Sequence, residues 1–301
     1  MITTSKGAFM ELVIEVSHLY KAFDGQDRLT DVNFKIKKGE CVALIGPNGA
    51  GKTTLFNCLL GACHTKQQAV RILGKSPRSF EVNQVRAILF QENQVQAKMT
   101  VLDLIHFEQQ IAQSPLPMSR IKELLELTSD QLHQMASSLS GGQKRLLSFI
   151  LTLVGQPEVL LLDEPTNGMD TSTRQRFWTI IDQLKKEGKT ILYSSHYIEE
   201  VEHTADRILV LHKGRLICDT TPYAMSAEKC EKVMTVPIDY KSILMNCEDI
   251  ASLVEKKDNV TFVTQNPRAV WQHLQRANCP IEVIEMTNRT LLDRIFMTTK
   301  G

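Results

Sequence analysis

The stretch GPNGAGKT, Gly46 to Thr53, sets three glycines ahead of a lysine and a threonine, between an apolar run and an amphipathic one. It fits the pattern G-x-x-x-x-G-K-[ST]. Glycines let the backbone curl so that successive N–H groups aim at phosphate oxygens. The positive end of a following helix adds to that field. Lys52 is then placed to reach β- and γ-phosphates, and the Thr53 hydroxyl to ligate Mg²⁺. A second group lies in VLLLDEPTNGMD, Val159 to Asp170, where an apolar run ends in two acids. Asp163 there can hold Mg²⁺ through water, and Glu164 can polarise an attacking water. A third, LSGGQ (Leu139 to Gln143), offers a serine and two glycines at a helix start, a second geometry suited to an anion.

The neighbouring elements must position these groups. CVALI (Cys41–Ile45) reads as a buried strand, and TTLFNCLLGA has apolar residues at helical spacing. LVIEVSHLYKAF and LTDVNFKIKKGE read as antiparallel strands leading into it. VRILG and VRAILFQ read as further short strands, the second ending at Gln91, whose amide can touch Mg²⁺ or water. MTVLDLIHFEQQIAQ and SRIKELLEL turn helical within an insertion from about 92 to 138, and LSGGQKRLLSFILTLVG continues the helical region to about 150. PEVLLLDEP and TILYSSH read as strands, with His196 at the end of the latter, where an imidazole can donate to a γ-phosphate. TRQRFWTIIDQLKKEG and IEEVEHTA read as helices, and DRILVLHKGRLICD as a hairpin turning at Lys-Gly. Strands alternating with helices predict an α/β core on a parallel sheet. After about 222, VMTVPI, DNVTFVT and IEVIEM read as strands alternating with helical NPRAVWQHLQRAN and TLLDRIFMTT. The expected organisation is a leader at 1–11, with Met10 a possible functional start. A domain at 12–221, a linker near Thr221–Glu231 and a small α/β extension at 230–301 follow.

Composition narrows the class. Hydrophobic residues make up 43% and charged residues 23%, ordinary for a globular chain. Lys+Arg 35 against Asp+Glu 34 leaves +1, so no basic field points to nucleic acid. No apolar run approaches the roughly 18 residues of a membrane span, and MITTSKGAF lacks the apolar core of a secretory signal. The seven cysteines contain no C-x-x-C pair and read as reduced thiols of a cytoplasmic protein.

With these motifs in this order, residues 12–220 resemble the nucleotide-binding subunit of an ATP-binding cassette (ABC) transporter. GPNGAGKT resembles its Walker A motif, Gln91 its Q-loop, LSGGQ its signature and LLLDE its Walker B motif. Asp170 in NGMD resembles the D-loop residue and His196 the switch histidine. The resemblance implies a P-loop NTPase fold with an antiparallel β subdomain and a helical insertion, and an ATPase that uses ATP and Mg²⁺. ATP would lie between two subunits. Gly46, Pro47, Asn48, Gly49, Ala50, Gly51, Lys52, Thr53 and Thr54 of one would hold its phosphates. Ser140, Gly141, Gly142 and Gln143 of the other would close on it, with Asp170 nearby. Glu164 would be the general base, His196 and Gln91 its partners, and Thr53, Gln91 and Asp163 the metal ligands. The aromatic that stacks on adenine would be Phe23 of LYKAF, with Tyr20 the weaker candidate. Two departures are mild: Met169 stands where leucine is common, and Asp24 where glycine is common.

The resemblance further implies a second ATPase subunit, identical or different, and a separate integral membrane permease. The chain would then sit peripherally on the cytoplasmic face of the membrane. The ending TLLDRIFMTTKG resembles the S-L-E-D-x-F close of ATPases in drug, antibiotic-peptide and sodium efflux systems, which favours an exporter. The alternative is a soluble, non-transport ABC ATPase that remodels a protein or nucleic-acid partner. The near-neutral charge and the lack of a coiled-coil or zinc insertion weigh against it.

Overall fold

The computed structural model describes residues 11–65, 68–91, 98–227, 231–245 and 247–288. Residues 1–10 of the expected leader, the segment 92–97 at the head of the insertion, Cys230 and the ending from 289 onward lie outside them. The chain divides into two compact units, Met1–Pro222 and Tyr223–Gly301.

The first unit opens with β1 (Leu12–Phe23) and β2 (Gln26–Lys37), then β3 (Cys41–Ile45), α1 (Lys52–Leu60), β4 (Val70–Ile72), α2 (Phe80–Val85) and β5 (Arg86–Leu89). Three helices follow in the expected insertion: α3 (Val101–Ile111), α4 (Met118–Leu125) and α5 (Ser129–His133). The rest alternates: α6 (Gly141–Leu153), β6 (Val159–Leu162), α7 (Thr171–Lys186), β7 (Thr190–Ser195), α8 (Ile198–Thr204), β8 (Arg207–His212) and β9 (Arg215–Thr220); α9 (Pro222–Ala227) begins at the unit's last residue. One sheet is antiparallel in the order β2-β1-β4; the other has six strands in the order β5-β6-β7-β3-β8-β9. From β5 to β8 the neighbours run parallel, and β9 turns back antiparallel on β8. Every residue of β3 and β6 is buried, as a central parallel strand covered on both faces requires.

Helix α1 joins the two sheets. Its Leu55, Phe56 and Leu59 share one core with Ile14, Val16 and Ile36 of the first sheet and Leu44, Leu161 and Leu192 of the second. The large sheet's other face carries α6 and α7, where Phe149 and Phe177 meet at 4.6 Å and Trp178 meets Tyr193 edge-on at 5.1 Å. Fully burying a side chain such as Phe149 or Phe177 contributes about 1.5–3 kcal/mol.

Several local readings are corrected. Val85 ends a short helix capped by Ser79, whose Oγ accepts from the Val82 N–H at 3.4 Å; the strand begins at Arg86. It stops at Leu89, so Gln91 lies two residues beyond it. The stretch expected as a linker near Thr221–Glu231 contains α9 and the Pro222/Tyr223 division between the units.

In the second unit, β10 (Lys232–Pro237), α10 (Lys241–Leu244), β11 (Ile250–Glu255), β12 (Asn259–Thr264), α11 (Pro267–Arg276) and β13 (Glu285–Asn288) form an antiparallel sheet, order β11-β12-β10-β13, with helices. Met234, Val236, Val260 and Phe262 pack with Val270 and Leu274 of α11. IEVIEM is not a continuous strand: Ile281–Val283 is a 3₁₀ turn and the strand starts at Glu285. The helix expected in TLLDRIFMTT lies outside the described residues.

Candidate nucleotide-binding and hydrolysis site

Because β5, β6, β7 and β3 are parallel neighbours, the residues leaving their carboxyl ends emerge along one edge of the sheet. Ligands of open α/β sheets bind at such an edge. The Gly46–Gly51 loop leaves β3, Gln91 follows β5, Asp163 and Glu164 leave β6, and His196 leaves β7.

The loop after β3 needs its glycines. A Cβ on Gly46 would lie 2.2 Å from the Leu211 carbonyl oxygen of β8. Gly51 has φ +107, and its Cβ would meet the Arg28 carbonyl at 2.8 Å. Gly51 also stands at the N-cap of α1, and no side chain caps that helix end. Its first N–H groups therefore face outward unsatisfied by capping, the arrangement that receives an anion. Lys52 folds under the loop, 6% exposed, with Nζ donating to the carbonyls of Gly46 at 2.8 Å and Pro47 at 3.4 Å. Burial lowers its pKa, while Glu164 and Asp163 act the other way. Pro47 and Thr54 are half-buried and Ala50 buried; Asn48, Gly49 and Thr53 are exposed at the mouth.

Glu164 is the hub of the edge. Its Oε2 accepts from Gln91 Nε2 at 3.2 Å. Its Oε1 lies 3.7 Å from His196 Nδ1 and 3.9 Å from Lys52 Nζ. The carboxylate is nearly buried, whereas His196 is exposed. The backbone at Glu164 takes φ 45, a left-handed conformation that costs a non-glycine residue of order 1 kcal/mol. Two side chains that sequence reasoning missed hold that turn. Ser194 Oγ donates to Asp163 Oδ1 at 2.5 Å and accepts from the Glu164 N–H at 2.8 Å. Arg145, buried in α6, donates to the carbonyls of Asp163 and Glu164 at 3.1 Å each, of Pro165 at 3.0 Å and of Phe90 at 2.5 Å. Burial lowers the Arg145 pKa to about 10, against the pull of Asp163 and Glu164. Neither residue belongs to a short motif; an arginine two places after LSGGQ was the available signal.

The signature segment has a different geometry. Ser140 caps α6 in a reciprocal box: its Oγ accepts from the Gln143 N–H at 3.2 Å, and Gln143 Oε1 accepts from the Ser140 N–H at 3.0 Å. Ser140 and Gly141 are exposed. Gly142 is buried beside Asp170, and a Cβ there would stand 2.9 Å from Asp170 Oδ2. Asp170 caps α7, accepting from the Thr173 N–H at 2.9 Å and from the hydroxyls of Ser172 at 2.7 Å and Thr173 at 2.9 Å. Those bonds hold its carboxyl well below the usual range. Among the described residues, no hydrogen bond or ion pair joins Ser140–Gln143 to the Gly46–Thr54 loop. Phe23 ends β1 at 41% exposed, with Lys21 Nζ 4.8 Å from its ring centroid; Tyr20 is 46% exposed. Both rings are open to solvent rather than part of the core.

Fold and edge together define a phosphate-binding ATPase domain, and comparison with known proteins gives its family. The ABC transporter family model matches residues 29–167. The Nod factor export ATP-binding protein I of Paraburkholderia xenovorans is 32% identical over 257 residues, covering 82% of this chain and 83% of that one. The protein of the same description from Burkholderia lata is 34% identical over 218 residues, covering 70% and 72%. Among solved structures, cbiO1 of Clostridium perfringens, described as part of the ABC transporter complex cbiONQ, aligns with TM-score 0.63 at 26% identity. That alignment covers 73% of this chain and 92% of that one. The chain belongs to the ABC transporter family, as the ATP-binding and ATP-hydrolysing subunit of a transporter.

Proposed function

We propose that this chain powers export by hydrolysing ATP between two cassettes, with Glu164 as the general base. The observation that carries the chemistry is the convergence of Lys52, Gln91 and His196 on the Glu164 carboxylate. ATP phosphates would seat on the uncapped start of α1, where Lys52 exchanges its contacts to the loop carbonyls for phosphate oxygens. Glu164 takes a proton from the attacking water, and His196, open to solvent, donates to the γ-phosphate. Thr53, Gln91 and Asp163 supply only oxygen donors, a set that fits Mg²⁺. Bound there, the ion would neutralise phosphate charge. Phe23 would stack on the adenine ring.

The γ-phosphate site would be completed by Ser140 and Gly142 of a second cassette, since among the described residues no bond joins this chain's own signature segment to its phosphate loop. Export is supported by the relatives from Paraburkholderia xenovorans and Burkholderia lata, both described as Nod factor export ATP-binding proteins. No described helix is long and apolar enough to cross a membrane, so the membrane path would belong to a partner. A groove of about 1040 Å³ in the first unit, lined by Arg86, Leu104, Glu108, Ile111, Ser148 and Gln156, would receive a cytoplasmic helix of that partner. Such docking would hold the chain peripherally on the cytoplasmic face, with cargo chosen by the membrane subunit.

The test is Glu164→Gln. ATP binding should persist while turnover falls by about 10²–10⁴-fold, the usual contribution of a general base. Turnover within a few-fold of the parent would remove Glu164 from that role. Detergent extraction of the tagged variant with ATP should bring a multi-span protein in stoichiometric amount; a soluble partner instead would favour the remodelling alternative.

A further inference from the structure

Beside the switch histidine lies a cluster that none of the family motifs contains. Arg174 of α7 reaches three elements. Its Nη2 donates to the Met169 carbonyl, next to Asp170, at 3.4 Å; its Nε stands 3.2 Å from Glu200 Oε1 of α8; and its guanidinium carbon lies 4.8 Å over the Tyr197 ring. Tyr197 in turn stacks on the His196 ring at 4.0 Å between centroids. Glu200, nearly buried, accepts through Oε2 from the hydroxyl of Thr166 at 3.0 Å, two residues past Glu164. Burial raises the Glu200 pKa, and Thr166 and Arg174 oppose the rise. Although they face each other, Arg174 Nε and Glu200 Oε1 are buried without an aligned hydrogen bond. A small rotation of α8 against α7 would change how these atoms are satisfied, and buried unpaired polar atoms are costly.

Building on the proposed role of His196, we infer that Arg174 and Glu200 are positioning residues for hydrolysis. They tie the turn after the base, the segment at Asp170 and the switch histidine into one unit. The guanidinium holds Tyr197, and Tyr197 holds the imidazole at the Glu164 carboxylate. Neither residue touches the nucleotide, so their loss acts on the rate of the chemical step through His196 rather than on ATP affinity.

The test measures kcat and KM for ATP in the full-length chain for Arg174→Met, Arg174→Lys and Glu200→Gln, each alone and combined with His196→Ala. Arg174→Met should lower kcat about tenfold with KM changed less than about twofold, and Arg174→Lys should recover part of the loss. Glu200→Gln, nearly isosteric and safer for folding, should lower kcat about threefold. In the His196→Ala background each substitution should add nothing further. An unchanged kcat in Arg174→Met and Glu200→Gln, or the same fractional loss with and without His196, would overturn the inference while leaving the histidine's role intact. Full turnover in His196→Ala alone would instead overturn the reading on which the inference rests.

Discussion

The first unit contains two helix starts that the sequence marks for anions, and they are built in opposite ways. Helix α1 begins at a glycine with no side-chain cap, over a loop whose Gly46 and Gly51 leave no room for a Cβ, with a buried lysine beneath. Helix α6 begins at Ser140, already bonded reciprocally to Gln143, on an exposed surface. An uncapped helix end leaves its N–H groups for a ligand, whereas a capping box satisfies them internally. On the proposed reading the first would act as a seat for phosphate and the second as a lid. If a second chain presents it, as proposed, the lid would exchange its own capping bonds for phosphate contacts.

That contrast can be broken at either end. The largest effect is expected at Lys52→Ala, which removes the buried cation of the seat. Turnover should fall about 10²-fold or more, with weaker ATP binding in a nucleotide titration. Gly51→Ala should follow, because its φ of +107 and its 2.8 Å approach to the Arg28 carbonyl leave no room for a methyl group. A thermal or urea melt should read a stability loss of about 1–3 kcal/mol. At the lid, Ser140→Ala removes a cap and should cost about 1 kcal/mol in the same melt. It should also lower turnover while leaving ATP binding to the isolated chain unchanged; weakened binding would place Ser140 in the seat. The smallest change is expected for Phe23→Leu, about threefold in ATP affinity, the size of one aromatic stacking contact. An unaltered affinity there, with a drop in Tyr20→Leu, would move the adenine contact to Tyr20.

Much of this edge was legible in the sequence because its residues are fixed by chemistry at short spacing. Gly46–Thr53, Asp163–Glu164 and LSGGQ each occupy one short stretch at the end of a strand or the start of a helix, and that context locates them. The supporting residues were not legible for a physical reason. Ser194 acts on Asp163 from 31 positions away, Arg145 on Pro165 from 20, and Glu200 on Thr166 from 34. Only the parallel order β5-β6-β7-β3 brings them together. Asp170 shows the converse: its type and place were evident, but its work as the cap of α7 beside Gly142 emerged only from the packing. In the second unit IEVIEM misled because a short apolar run carries no period that separates a 3₁₀ turn from a strand.

The most direct test of a seat completed by another chain's lid is complementation between two inactive variants. Lys52→Ala destroys the seat and spares the lid; Ser140→Arg blocks the lid and spares the seat. If the site is shared between two copies of this chain, mixing the two should restore turnover to as much as about a quarter of the parent's. Half of the dimers would then carry one intact site of two. A mixture as inactive as either variant alone would contradict the account.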